Sequence, residues 1–233
     1  MDIVELLIQF DLTRQEAVIY STLLSEGDLN GYEVAKITGI SRSNAYTSLA
    51  ALVDKGGAYI IEGPATRYTP VPIEEFCSNR IRKLEETKQE LLRNTPVKRD
   101  GIDGYVTIKG KSHILDKMRN MVSEARERVY LSVSEQILEC LLPEIKDAAG
   151  RGIKTVLITN VPFHLDGATT YMAEKSRQQI RLIADSTNVL TGDIDDGEHS
   201  TCLYSRKKNL IDLLKDSLKN EIKLIEITKG DNK

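Results

Sequence analysis

The segment TGISRSNAYTSLAALVDKG, residues 38–56, decides how the first part of this chain folds. Thr38-Gly39-Ile40-Ser41 combines a glycine that accepts a left-handed turn, an apolar plug and a serine suited to cap a helix start. A helix from Arg42 to about Lys55 follows at once. At about 100° per residue, Ala45, Leu49 and Leu52 fall on one side. Ser43, Thr47, Ala50 and Asp54 fall on the other, with Asn44 and Tyr46 on the flanks. The first turns of this helix are therefore small and polar where they face outward.

Working outward, Thr13 to Ser25 reads as an amphipathic helix that starts with the capping-box pair Thr13 and Glu16. Ala17, Val18, Tyr20, Leu23 and Leu24 form its apolar set, and Gly27 supplies a stop. A short helix from about Gly31 to Thr38 follows, with Val34, Ala35 and Ile37 as its inner face. Beyond Gly56-Gly57, Ala58–Glu62 is strand-like, Gly63-Pro64-Ala65 is turn chemistry, and Thr66–Val71 returns as a second strand. Three helices and a hairpin make a winged helix-turn-helix. In that motif the N-terminal part of the second motif helix reaches base edges, so Arg42, Ser43, Asn44, Tyr46 and Thr47 are the expected DNA-contacting residues. Arg67 is expected in the wing, near a phosphate or the minor groove. A helical bundle with an appended hairpin would show the same periodicities. It is the conjunction of the turn, the polar helix start and the wing arginine that favours DNA.

The run from Leu12 to Pro72 resembles the N-terminal domain of the TrmB-like transcriptional regulators of archaea and bacteria. The family's pattern stands here as Leu12-Thr13, Glu16-Ala17, Tyr20, Leu23-Leu24, Ala35, Gly39-Ile40, Arg42, Tyr46, Leu49, Leu52, Lys55-Gly56, Tyr68, Pro70 and Pro72. Phe10-Asp11 replaces the family's more frequent Leu-Gly. The resemblance implies a sequence-specific regulator that binds double-stranded DNA.

From Ile73 to about Arg93 the sequence is helical. With Cys77, Leu84 and Leu91 at d, positions a hold Glu74, Ile81 and Lys88, a short and imperfect coiled-coil seam. The helix either packs on its own domain or pairs with a second copy, and the resemblance favours a homodimer. Residues 94–101 (NTPVKRDG) form a polar linker. The expected division is 1–72 for the winged helix-turn-helix, 73–100 for the connecting helix and linker, and 101–233 for a regulatory domain.

That last part alternates strands and helices. Strands are expected at Gly104–Lys109, Arg128–Val133, Lys154–Asn160, Ile180–Ala184, Asn188–Leu190 and Thr201–Tyr204. Helices are expected at Ser112–Glu127, Glu135–Ala149 and Lys207–Lys219. The fold class is thus two-domain α+β and α/β. The order of elements resembles one repeat of a phospholipase-D-like fold, as found in many TrmB-like proteins. An active site of that type needs HxKxxxxD, and no lysine stands two residues after His113, His164 or His199. A covalent phosphohistidine would lack its phosphate clamp, so an enzyme is not expected. A phospholipase-D-like phosphodiesterase or nuclease with a DNA-targeting domain is the enzymatic alternative, and a protein-interaction adaptor is a third.

The segment Gly192–His199 is acidic, but its spacing does not match a calcium loop, which leaves a solvated turn. Arg206-Lys207-Lys208 suits either a solvated helix start or an anion at a helix N-terminus. Asn160–His164 follows a strand end, where open α/β sheets bind ligands, so Asn160 and His164 are the expected effector contacts. The resemblance implies that some members sense sugars through a C-terminal region longer than this one. With 233 residues, 40% hydrophobic and 29% charged, the chain is long enough for two modest cores, and its net charge of −3 leaves room for a local basic surface. Cys77, Cys140 and Cys202 lie far apart, which suits reduced thiols in the cytoplasm. No cofactor, metal or membrane contact is expected.

Overall fold

The computed structural model describes residues 2–96, 104–174, 178–195 and 199–230. The chain divides into two compact units, Met1–Val97 and Lys98–Lys233. The first holds α1 (Ile3–Gln9), α2 (Arg14–Glu26), β1 (Leu29–Asn30), α3 (Gly31–Thr38), α4 (Arg42–Asp54), β2 (Ala58–Ile61), β3 (Arg67–Pro70) and α5 (Ile73–Asn94). The capping box of α2 is present on both sides: the Thr13 N–H donates to the Glu16 carboxylate at 2.8 Å, and the Glu16 N–H to the Thr13 hydroxyl at 3.3 Å. Gly39 closes α3 in the left-handed region at φ 73°, and Ser41 caps α4. Ala45, Leu49 and Leu52 are buried together with Ile19, Tyr20 and Leu23. The expected motif is what forms.

Three details depart from the sequence reading. Ile37 is half exposed, not inward. In a helix of only eight residues the buried stripe is Gly31, Val34 and Ala35, and Ile37 is a further 200° around from Ala35. Leu29 and Asn30 pair with Tyr68 and Arg67, making a three-stranded sheet in the order β1-β3-β2. An additional helix, α1, lays Leu7 into the same core.

The connecting helix α5 is continuous from Ile73 to Asn94. Its first turns belong to the winged helix: Phe76 is fully buried, its ring centroid 5.2 Å from that of Tyr20, whose hydroxyl donates to the Val71 carbonyl at 2.6 Å. Arg80 pairs with Asp11, and the Tyr59 hydroxyl donates to Glu75 at 2.9 Å. From Ile81 onward every described side chain of the helix is exposed, including Ile81, Leu84, Leu91 and Leu92.

The second unit is a seven-stranded mixed sheet with helices on both faces. Its elements are β4 (Tyr105–Lys109), α6 (Lys111–Ser123), β5 (Arg128–Ser132), α7 (Glu135–Cys140), α8 (Leu142–Gly150), β6 (Lys154–Thr159), β7 (Ala168–Met172), β8 (Gln179–Ala184), β9 (Asn188–Asp193), β10 (Thr201–Ser205) and α9 (Lys208–Gly230). The strand order is β4-β10-β9-β8-β5-β6-β7, with β5, β6 and β7 parallel and the other neighbours antiparallel. Alternation along β5 sends Val129, Leu131 and Val133 into a core with α6, α7 and α8. Tyr130 points the other way, toward α9. The helix expected over Glu135–Ala149 is two helices, because Pro143 has no N–H to continue the ladder and Leu141 turns out of helical geometry at φ −111°. β7, with two threonines at a sheet edge, had no apolar run to announce it. The segment Gly192–His199 lies partly outside the described residues.

Asp185 locks the β8–β9 turn, where it and Ser186 adopt positive φ. Its carboxylate accepts from the N–H groups of Arg126, Glu127 and Arg128 at 2.8–3.1 Å. Partial burial pushes its pKa up, but these three backbone donors outweigh that and hold it below the ordinary 3.8. A carboxylate depressed in the folded state stabilises above its unfolded pKa and loses that contribution as pH falls through the folded value. Denaturant titrations from about pH 6 down to about pH 3 should therefore show wild type losing an increment that Asp185→Asn lacks throughout. Parallel acid limbs for the two proteins would contradict this.

Candidate nucleic-acid interface

The outward face of α4 is built by elimination. Ala45, Leu49 and Leu52 are spent on the core, and Ser43, Asn44, Tyr46 and Thr47 are left exposed in its first turns. The local hydrogen bonds do not consume the face. The Ser41 hydroxyl accepts from the Asn44 N–H at 3.4 Å, leaving the Asn44 amide side chain outward, and the Thr47 hydroxyl donates back to the Ser43 carbonyl at 3.0 Å. Ser48, on the inner side, meets Gln15 of α2 at 3.4 Å.

Two of the expected residues also have structural partners. Arg42 lies over the Tyr32 ring, 4.6 Å from its centroid, so the first turns of α3 and α4 present a stacked, exposed pair. Tyr46 lies against Gly31, where a Cβ would overlap its ring carbons, so close approach explains glycine at the start of α3. In the sequence Tyr32 is marked by nothing beyond being an aromatic residue one position inside the start of α3.

Arg67 sits at the base of the wing. It donates to the Asp28 carbonyl and stands 3.4 Å from Glu33, the residue that completes the capping box of α3 with Asn30. It thereby ties β3 to the entry of α3. Lys55 is engaged as well, bonded to the Asp11 carbonyl at 2.7 Å and to the nearly buried Glu16 carboxylate at 2.8 Å. Arg14 pairs with Glu5 at 2.6 Å. Residues 1–72 contain nine carboxylates and five cations, Arg14, Lys36, Arg42, Lys55 and Arg67. Of these five, only Lys36 and Arg42 make no ion pair among the described residues.

The two expected effector contacts do not converge. The Asn160 side chain accepts from the Glu135 N–H at 2.8 Å and so holds the start of α7, while His164 is exposed beside Asp166 at 3.2 Å. Among the described residues no cluster of His, Cys, Asp and Glu could hold a metal, and no helix is long and apolar enough to cross a membrane.

The first domain is a winged helix-turn-helix whose α4 exposes a polar side, followed by an α/β domain, an architecture found among DNA-binding transcriptional regulators. Residues 6–74 match the family described as sugar-specific transcriptional regulator TrmB, and residues 104–220 match the transcriptional regulator TrmB, EBD N-terminal subdomain. The chain belongs to the TrmB family. It is 27% identical to the uncharacterized protein YrhO of Bacillus subtilis, over 98% of this chain and 87% of that one. It is 28% identical to the HTH-type sugar sensing transcriptional regulator TrmBL1 of Pyrococcus furiosus, over 60% of this chain and 42% of that one, so it spans less than half of that relative. A solved structure of TrmBL2, described as an archaeal chromatin protein with a novel mode of DNA binding, aligns over 95% of this chain and 97% of that chain. Its identity is 20% and its TM-score 0.47. NucT from Helicobacter pylori and Nuc from Salmonella typhimurium, a phospholipase D family member, align with 52% and 50% of this chain at TM-scores of 0.41 and 0.37, too low to carry any statement about chemistry.

Proposed function

We propose that the chain is a homodimeric, cytoplasmic repressor or activator that reads a two-half-site operator through α4, and that its second domain responds to an effector. Residues 1–72 read DNA, 73–100 join and pair the subunits, and 101–233 regulate. The outward face of α4 carries this reading, because Ser43, Asn44 and Thr47 are exposed, small and polar, as a helix entering a major groove requires. The missing HxKxxxxD supports a non-catalytic second domain.

Base reading is assigned to Ser43, Asn44 and Thr47, with Arg42 and Tyr46 on the phosphates beside them. Replacing Ser43 and Asn44 together by alanine should relax operator preference by about 1–3 kcal/mol per lost base contact. Selection from a randomised duplex pool measures it, and an unchanged preferred sequence would sink the assignment.

The sparse cationic surface makes a second, quantitative expectation. With Lys36 and Arg42 as the uncommitted cations of each domain, two domains neutralise roughly four phosphates, and log K should fall with log salt at a slope near −4. Arg67, half-compensated by Glu33, positions the wing and does not specify sequence. Arg67→Ala should weaken all sequences about equally and lower the magnitude of the slope by no more than about one unit. A slope near −8, by contrast, would mean that the buried or paired cations are released on binding.

A further inference from the structure

We propose that a cavity between α9 and the sheet of the second domain binds a small organic monoanion with an apolar ring or branched body, and that this molecule is the effector. The proposal rests on the regulatory reading above. Tyr130 of β5 and Ile183 of β8 meet Leu218 and Ile222 of α9 to give the cavity, of about 160 Å³, its apolar lining. Its polar lining is entirely cationic apart from the Tyr130 hydroxyl: Arg128, Lys215 and Lys219. Lys215, Leu218, Lys219 and Ile222 recur three or four apart, so α9 presents them as one stripe.

Size and charge together narrow the ligand. An apolar cavity of roughly 150 Å³ holds one benzene-sized molecule, so a single ring or a short branched chain fills this one. The charges are unevenly balanced. Glu127 stands 3.4 Å from Arg128, and Asp216 stands 3.6 Å from Lys219. Lys215 is half-buried and has no carboxylate partner among the described residues. The Nε of Arg128 is buried and makes no hydrogen bond. One uncompensated ammonium beside apolar walls suits a carboxylate head, and two near-compensated cations leave too little charge for a dianion. A neutral sugar would leave the half-buried lysine facing no anion and would set hydroxyls against apolar walls. The bound molecule would touch β5, β8 and α9 together, which makes it a clamp on the helix.

Benzoate is the probe, titrated into the full-length protein against benzamide, inorganic phosphate and glucose. Benzoate at up to about 10 mM, the range appropriate to a fragment of its size, should shift the NMR signals of Tyr130, Ile183, Leu218 and Ile222. It should also slow amide exchange in residues 214–222. Benzamide, phosphate and glucose should do neither. Lys215→Gln should weaken benzoate at least tenfold with an unchanged melting temperature, and Lys215→Arg should retain it. Equal response to benzamide, a stronger response to phosphate or glucose, shifts confined to other surfaces, or no shift at all would each overturn the proposal. DNA titration of the same samples is scored separately. Benzoate shifts without DNA binding would leave the cavity assignment standing and remove the regulator reading instead.

Discussion

Leu84→Glu should convert a dimeric protein into monomers and cut operator affinity by about 10²–10⁴-fold while leaving every domain folded. Leu84 is 63% exposed in the single chain, so its own domain loses nothing when it is replaced. Nothing within its own unit registers the change. Ile81, Leu91 and Leu92 are exposed on the same half of α5, where water gains nothing from four large aliphatic side chains. A seam of about three heptads with Glu74 and Lys88 at a positions is marginal alone, so burying one further charge removes it. The loss of affinity follows from linkage. Two reading heads on half-sites about 34 Å apart bind as one unit, and separating them forfeits the effective concentration. Sedimentation of wild type and variant beside a DNA titration decides it. A wild type that stays monomeric at tens of micromolar, roughly where a working dimer is well populated, would remove the assembly.

Phe76→Ala should destabilise the winged helix by about 3–5 kcal/mol, the range for deleting a fully buried aromatic ring. Phe76 closes the core beneath Tyr20, and the cavity it would leave lies where α5 departs from the domain. Against a total stability of about 5–15 kcal/mol for a domain, that loss threatens folding at growth temperature. Amide exchange resolved by peptide separates the two domains. Residues 14–71 should lose protection, whereas the strands of the second sheet should keep theirs. If α5 docked only through its surface pairs, Arg80 with Asp11 and Tyr59 with Glu75, the variant would cost less than about 1 kcal/mol.

The first domain was legible because its signals are local. The Thr13–Glu16 box, Gly39, Ser41 and the alternation through residues 58–71 each dictate a conformation from within a few residues. What escaped depends on distant partners. β1 is two residues long and exists only because Tyr68 and Arg67 offer their edge. β7 reads as ATTYM, with no apolar alternation to mark it, and is a strand because β6 lies beside it. The internal bonds of Arg67 and Lys55 also could not be read from spacing, since Asp28, Glu33, Asp11 and Glu16 come from elsewhere in the domain. The exposed polar side of α4 is visible in outline. Tyr32, brought to it by α3, is not.

The way α4 divides its side chains has a consequence for descent and for engineering. Ser43, Asn44, Thr47 and Ala50 are exposed, and none of their side chains bonds to another element, whereas Ala45, Ser48, Leu49 and Leu52 are committed to the interior. Surface exchanges of this kind usually move stability by less than about 0.5 kcal/mol. On the proposed assignment of base reading to α4, operator preference can drift between lineages without endangering the scaffold, and a library randomised at those four positions should yield folded proteins with altered targets. Tyr46 stands outside that freedom because it is shaped to Gly31.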